Sequence, residues 1–150
     1  MYSKLIDEQL QAGKQVLFLL PEIALTTQII TRLQTYFGNQ ISVFHSKYSM
    51  NERVEVWHNV LDNKPKAQII LGARSAIFLP FSNLGLIVVD EEHETSYKQF
   101  DPSPRYNARD AAIVLAKMHQ AKIILGSATP SLESYFNAKQ QKYGFVSLHK

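Results

Sequence analysis

The sequence contains no cysteine. A disulfide framework and a thiolate metal site are therefore both excluded, and a reducing compartment is compatible with that absence. No apolar stretch approaches the roughly 20 residues needed to span a bilayer. The opening Met1-Tyr2-Ser3-Lys4-Leu5-Ile6-Asp7-Glu8 lacks a signal-peptide core, so a cytoplasmic protein is expected. Low-complexity tracts, internal repeats and a composition shift are also missing, and the 150 residues are expected to form one domain. Charge of one sign is scarce: 16 Lys and Arg against 13 Asp and Glu leave +3, which permits a polyanionic partner without demanding one. The phosphate loop G-x-x-x-x-G-K-[ST] is lacking too. Gly13-Lys14 is the sole Gly-Lys pair, but Gln15 follows it and Glu8 stands where the first glycine belongs.

What is present is an alternation of short apolar runs with helical periodicity, the pattern of stacked β-α units and a mostly parallel sheet. A first helix places Tyr2, Leu5, Ile6 and Leu10 on one face and closes at Gly13. A buried strand over 15–20 stops at Pro21, and a helix near Ala24 to Phe37 buries Leu25, Ile29, Leu33 and Phe37. Strand Ile41–Phe44 precedes a capping box, Ser49 with Glu52, that starts a helix carrying Val54, Trp57, Val60 and Leu61 inward. Strands follow over 67–72, 84–90 and 122–126, with a helix over 108–119 capped by Asn107 and burying Ala112, Leu115 and Ala116. Pro130 suits a first helical turn, and Phe145–Leu148 reads as a last strand. One long break, from Glu91 to Arg105, has no apolar period, and breaks of that length are usually functional or disordered.

Chemistry concentrates where strands end. The run Leu86-Ile87-Val88-Val89 leads straight into Asp90-Glu91-Glu92-His93. A buried strand thus delivers adjacent carboxylates to the carboxyl edge of the sheet, where open α/β folds bind ligands. Phosphoryl transfer needs one carboxylate to hold magnesium, usually through water, and a second group to orient the attacking water. Asp90 suits the first role and Glu91 the second; a solvated acidic turn is the plainer alternative. The next strand ends in Gly126-Ser127-Ala128-Thr129-Pro130, whose hydroxyls can bond those carboxylates, and helix capping by Thr129 is compatible with that. His45 finds no partner at a spacing that zinc requires, so a metal site there is rejected, and neither His45 nor Ser46 receives a role.

Asp90-Glu91-Glu92-His93 with Ser127-Ala128-Thr129 resembles motifs II and III of the superfamily-2 helicases. Further blocks narrow the likeness to the primosomal replication-restart helicases. They are Leu20 to Thr26, Phe44-His45-Ser46 with Glu52-Arg53 and Trp57, Gly72 to Phe78, and Tyr97-Lys98-Gln99 with Arg105 to Asp110. The resemblance implies a RecA-like fold of the P-loop type and ATP-dependent unwinding of DNA with 3′ to 5′ polarity at stalled forks. ATP and magnesium are the implied cofactors, with zinc held elsewhere in such helicases, in a cysteine-rich region this chain lacks. Single-stranded and forked DNA, other primosome proteins and single-strand-binding protein are the implied partners.

The resemblance also allots positions. Asp90 and Glu91 are the catalytic pair, with magnesium on Asp90 through water. Glu92, His93, Ser127, Ala128 and Thr129 join motifs II and III. Thr26 or Thr27, at a helix start, would grip a DNA phosphate, and Arg74 with Ser75 would make another backbone contact, although Ala73 stands where a threonine is frequent. The segment 94–109 resembles an aromatic-rich loop joining hydrolysis to DNA movement. Its composition supports that: Tyr97, Phe100 and Tyr106 offer faces to unstacked bases, while Lys98, Arg105 and Arg109 neutralise phosphates. Packing of those aromatics onto the domain is the alternative, above all for Phe100 and Tyr106. In such helicases the phosphate loop directly precedes the first helix. This chain is therefore expected to be part of lobe 1 beginning just after that loop, without its strand, without ATPase activity alone, and prone to self-association through unpaired sheet edges. Two other readings stay open: a lobe of another superfamily-2 motor, and a non-catalytic protein-interaction domain.

Overall fold

In the computed structural model, which describes residues 2–45, 49–92, 97 and 106–126, five strands form one sheet in the order β2-β3-β1-β4-β5. They are β1 (Gln15–Leu19), β2 (Ile41–Phe44), β3 (Ile69–Gly72), β4 (Leu84–Asp90) and β5 (Lys122–Gly126). Every pairing is parallel. Four helices flank them: α1 (Tyr2–Gln11), α2 (Thr27–Phe37), α3 (Met50–Leu61) and α4 (Ala108–His119). The expected elements at Pro130 and at 145–148 lie outside the described residues.

Alternation along β1 shows how the sheet makes two cores. Leu17 and Leu19 face Val60 of α3 and Ala108, Ala112 and Ala116 of α4. Val16, Phe18 and, just past β1, Leu20 pack with Ile6 of α1, Leu25 ahead of the α2 cap and Phe37 at the end of α2. Burying each such Val, Leu, Ile or Phe side chain contributes about 1.5–3 kcal/mol, and a strand covered on both faces must be apolar throughout. That is why β1, β3 and β4 read as unbroken hydrophobic runs.

The helix boundaries follow local chemistry. Gly13 ends α1 in a left-handed conformation, φ 74°, which glycine adopts without a Cβ clash. The Ser49 hydroxyl accepts from the Glu52 amide at 3.2 Å, as the capping box requires. The Asn107 side chain accepts from the Arg109 amide at 2.9 Å and starts α4. Two expectations are corrected. The second helix begins at Thr27 rather than near Ala24, because Glu22–Ala24 forms a separate 3₁₀ turn and Thr26 is the cap. In α3 the inward face is Val56, Asn59 and Val60, while Val54, Trp57 and Leu61 are exposed.

One buried polar side chain fixes that phase. Gln15 is fully buried at the start of β1. Its amide donates to the Val60 carbonyl at 2.9 Å, while its oxygen accepts from the amides of Ser82 (3.0 Å) and Asn83 (2.9 Å). It thus ties α3 to the approach of β4. At the opposite, carboxyl ends of the strands, Leu19 is in register with Gly72 and Val89, and Asp90 with Gly126. One rim therefore receives the segments that follow β1, β3, β4 and β5.

Candidate functional site: the acidic turn and its rim

The last residue of β4 is Asp90, and the backbone then turns sharply through Glu91, whose φ is +52°. A left-handed conformation costs a non-glycine residue about 1–3 kcal/mol and persists only where its surroundings enforce it. Contacts among the described residues surround this turn. The Tyr97 hydroxyl donates to the Asp90 carbonyl. The Glu92 amide donates to the Gly126 carbonyl at 3.0 Å. The Glu92 carboxylate accepts from the Arg109 guanidinium at 3.4 Å. Glu92 is 2% exposed and Arg109 7%, so each charge is stable there only with its partner. Asp90 and Glu91 themselves are half-buried, reachable from solvent.

The turn thus joins β4 to the end of β5, one residue before Ser127. Ser127, Ala128 and Thr129 lie outside the described residues, as do His93, Lys98, Phe100 and Arg105. Among the described residues no cluster of three or more His, Cys, Asp or Glu side chains is arranged as a metal cage. A hard cation at this rim would rest on one or two carboxylates plus water and phosphate oxygens, the way magnesium is usually bound. Asp90, half-buried at the rim, fits that as the one carboxylate.

Two expected nucleic-acid contacts are corrected. Tyr97 is 1% exposed with its hydroxyl on Asp90, and Arg109 is buried against Glu92, with Asp110 also within 3.1 Å. A ring without an open face cannot stack a base, and a guanidinium buried on a carboxylate is not offered to a phosphate. Both belong to the acidic turn.

Of the remaining expected contacts, the described ones, Thr26, Thr27, Arg74, Ser75 and Tyr106, lie at the same rim. Thr26 and Thr27 are exposed at the start of α2, where the Thr26 hydroxyl also accepts from the Ile29 amide at 3.3 Å. After β3 the chain forms a 3₁₀ segment, Arg74–Phe78. Gly72 permits its close return: a Cβ there would lie 2.7 Å from that of Ala76 and 3.0 Å from the Phe44 carbonyl. Ser75 is exposed and Arg74 half-buried. The Arg74 side chain hydrogen-bonds Tyr106, and since a guanidinium only donates, the hydroxyl oxygen accepts. Burial pushes the Tyr106 pKa above the usual tyrosine value, against the attraction and hydrogen bond of Arg74, so the ring stays neutral through physiological pH. Phe78 packs edge-on to Tyr106, centroids 5.0 Å apart, and is 64% exposed. Sequence reasoning missed Phe78. An apolar residue two positions before Pro80 reads as core, and only the fold places it outside.

A parallel five-stranded sheet with an acidic turn at its carboxyl rim is an open α/β domain, and the likenesses that follow make it a RecA-like one. Residues 1–137 match the model of the DEAD/DEAH box helicase family, and the chain belongs to that family. The chain is similar to the replication restart protein PriA of Bacillus subtilis (strain 168), 45% identical over 148 residues, 99% of this chain and 18% of that protein. Its similarity to the PriA of Rickettsia prowazekii (strain Madrid E) is 49% over 148 residues, 99% of this chain and 22% of that one. With the PriA of Chlamydia trachomatis it shares 47% over 150 residues, 100% of this chain and 20% of that one. The chain therefore spans about a fifth of the length of these relatives. In fold it is similar to the C-terminal domain of the DEAD-box protein Dbp5, with TM-score 0.57 and 13% identity, covering 97% of this chain and 79% of that one. A second structure of that domain, from S. cerevisiae, gives 0.59 and 11%, covering 95% of this chain and 78% of the other.

Proposed function

We propose that this chain is the part of an ATP-dependent DNA helicase's first lobe that carries the water-orienting carboxylates and a stretch of the DNA track. The motor would move 3′ to 5′ and serve replication restart, as the name of the similar PriA proteins suggests. The observation that carries this reading is the register of Asp90 with Gly126. It sets an acidic turn beside the end of the neighbouring strand at the rim where open parallel sheets bind ligands. When bound, magnesium and ATP would supply an electrophilic phosphoryl group with its charge partly neutralised. Asp90 would hold the ion through water, and Glu91 would orient a water and accept its proton. Without a phosphate loop of its own sequence, the chain alone is expected not to hydrolyse ATP.

The DNA side of the proposal rests on the rim next to the acidic turn. Thr26 and Thr27 offer hydroxyls and open helix-start amides for a phosphate. Arg74, Ser75, Tyr106 and Phe78 combine a cation, a hydroxyl and an exposed aromatic face, the composition of single-strand tracks. Fluorescence anisotropy with labelled single-stranded DNA at several salt concentrations tests this. Binding is expected to weaken steeply with salt, and Arg74→Gln to flatten the log–log slope by about 1. Phe78→Ala should cost about 1–3 kcal/mol of affinity. No binding at low salt would turn the reading toward a protein-interaction surface.

A further inference from the structure

We propose that Arg109 and Tyr97 are positioning residues that hold Glu91 in its left-handed backbone, and so fix where its carboxylate stands at the rim. The inference rests on the functional reading above, in which Glu91 handles the water, but its geometry is independent of that reading.

Consider what a residue at φ +52° needs. Left to itself, Glu91 would relax to negative φ, because its Cβ is crowded in the left-handed region. The residues on either side are held by contacts of their own. Asp90 is fixed by β-pairing with Gly126 and, on its carbonyl, by the Tyr97 hydroxyl. Glu92 is fixed twice, by its amide on the Gly126 carbonyl and by its carboxylate on Arg109. The Arg109–Glu92 contact is buried and the Tyr97–Asp90 contact part-buried, so water weakens the first least.

The second anchor comes from a regular element. Arg109 is the second residue of α4, and its amide is held by the Asn107 cap. Ala108, Ala112 and Ala116 press that helix onto β4 and its neighbours. The position of Glu92 is thus set by the packed helix, and small alanines let the helix approach closely enough for a guanidinium to reach Glu92. Two anchoring residues, one before α4 and one within it, converge on one three-residue turn.

Amide hydrogen exchange on the 150-residue chain, followed by NMR, tests this. Arg109→Gln alone would strand a buried Glu92 and could unfold the chain. The working variants are therefore Tyr97→Phe, which loses only the hydroxyl, and the double variant Glu92→Gln with Arg109→Gln, which removes both charges. Each is expected to speed exchange at the backbone amide of position 92 about tenfold, the loss of roughly one net hydrogen bond's worth of local order. The amides of Leu17 and Ile70, in the centre of the sheet, should change less than about twofold, as expected for a local opening. Unchanged exchange at position 92 in both working variants overturns the proposal, as does loss of protection in step there and at Leu17 and Ile70. Because the readout is structural, turnover surviving loss of the Glu91 carboxylate would sink the functional reading and leave this result standing.

Discussion

In a protein that joins this chain to a phosphate loop and a second lobe, Glu91→Gln is expected to lower DNA-stimulated ATP turnover by about 10²–10⁴-fold, the usual worth of a general base. Nucleotide affinity should stay within about twofold, since an interaction made chiefly in the transition state lowers kcat without raising KM. The substitution is isosteric, so the turn, held by the neighbours of Glu91, keeps its shape. The change removes the proton acceptor. Asp90→Asn would instead weaken the magnesium-dependent part of nucleotide binding, which separates the two roles. Turnover that survives Glu91→Gln would remove Glu91 from the mechanism.

Gln15→Met is expected to cost about 2–5 kcal/mol of stability, a large effect for a residue away from the rim. Methionine matches glutamine in length, so little volume is lost. What is lost is a partner for three backbone groups: the Val60 carbonyl and the amides of Ser82 and Asn83. A buried group left unpaired costs about 1–3 kcal/mol, and the Ser82 and Asn83 bonds are only part-buried, which lets water recover some of the sum. For a domain of this size, each kcal/mol moves Tm by about 2–4 °C. Thermal unfolding should therefore shift down by roughly 5–20 °C on that scale. A shift under about 2 °C would mean that Gln15 is a passive occupant of its site.

Much of this is legible in residue order. The strands at 84–90 and 122–126, the caps at Ser49 and Asn107, and the acidic turn at a sheet rim all follow from local pattern, because each depends on neighbours within a few positions. Where local pattern misleads, tertiary packing decides. The α3 sequence carries two apolar stripes, Val54-Trp57-Leu61 and Val56-Val60, and helical periodicity cannot choose between them. Gln15, 45 residues from Val60, makes the choice. Arg109 looks like a phosphate ligand because it follows a segment that mixes aromatics with Lys98 and Arg105. Its partner Glu92 lies 17 positions away, and only the fold brings them together. Tyr97 misleads for the same reason: its hydroxyl binds a backbone carbonyl, which no side-chain pattern announces. The left-handed Glu91 is not legible at all, since nothing marks a glutamate as bound for that conformation.

The most direct measurement of the central claim is paramagnetic broadening of backbone NMR signals by manganese, a magnesium surrogate whose effect is visible even at low occupancy. The account predicts that Mn²⁺ broadens the amides of Asp90, Glu91, Glu92 and Gly126 together, leaves Gln15, Leu84 and Lys122 at the far ends of the strands sharp, and loses this pattern in Asp90→Asn. Broadening confined to other carboxylates, or the same broadening with Asp90 replaced, would show that the rim is not where the metal and phosphate chemistry resides.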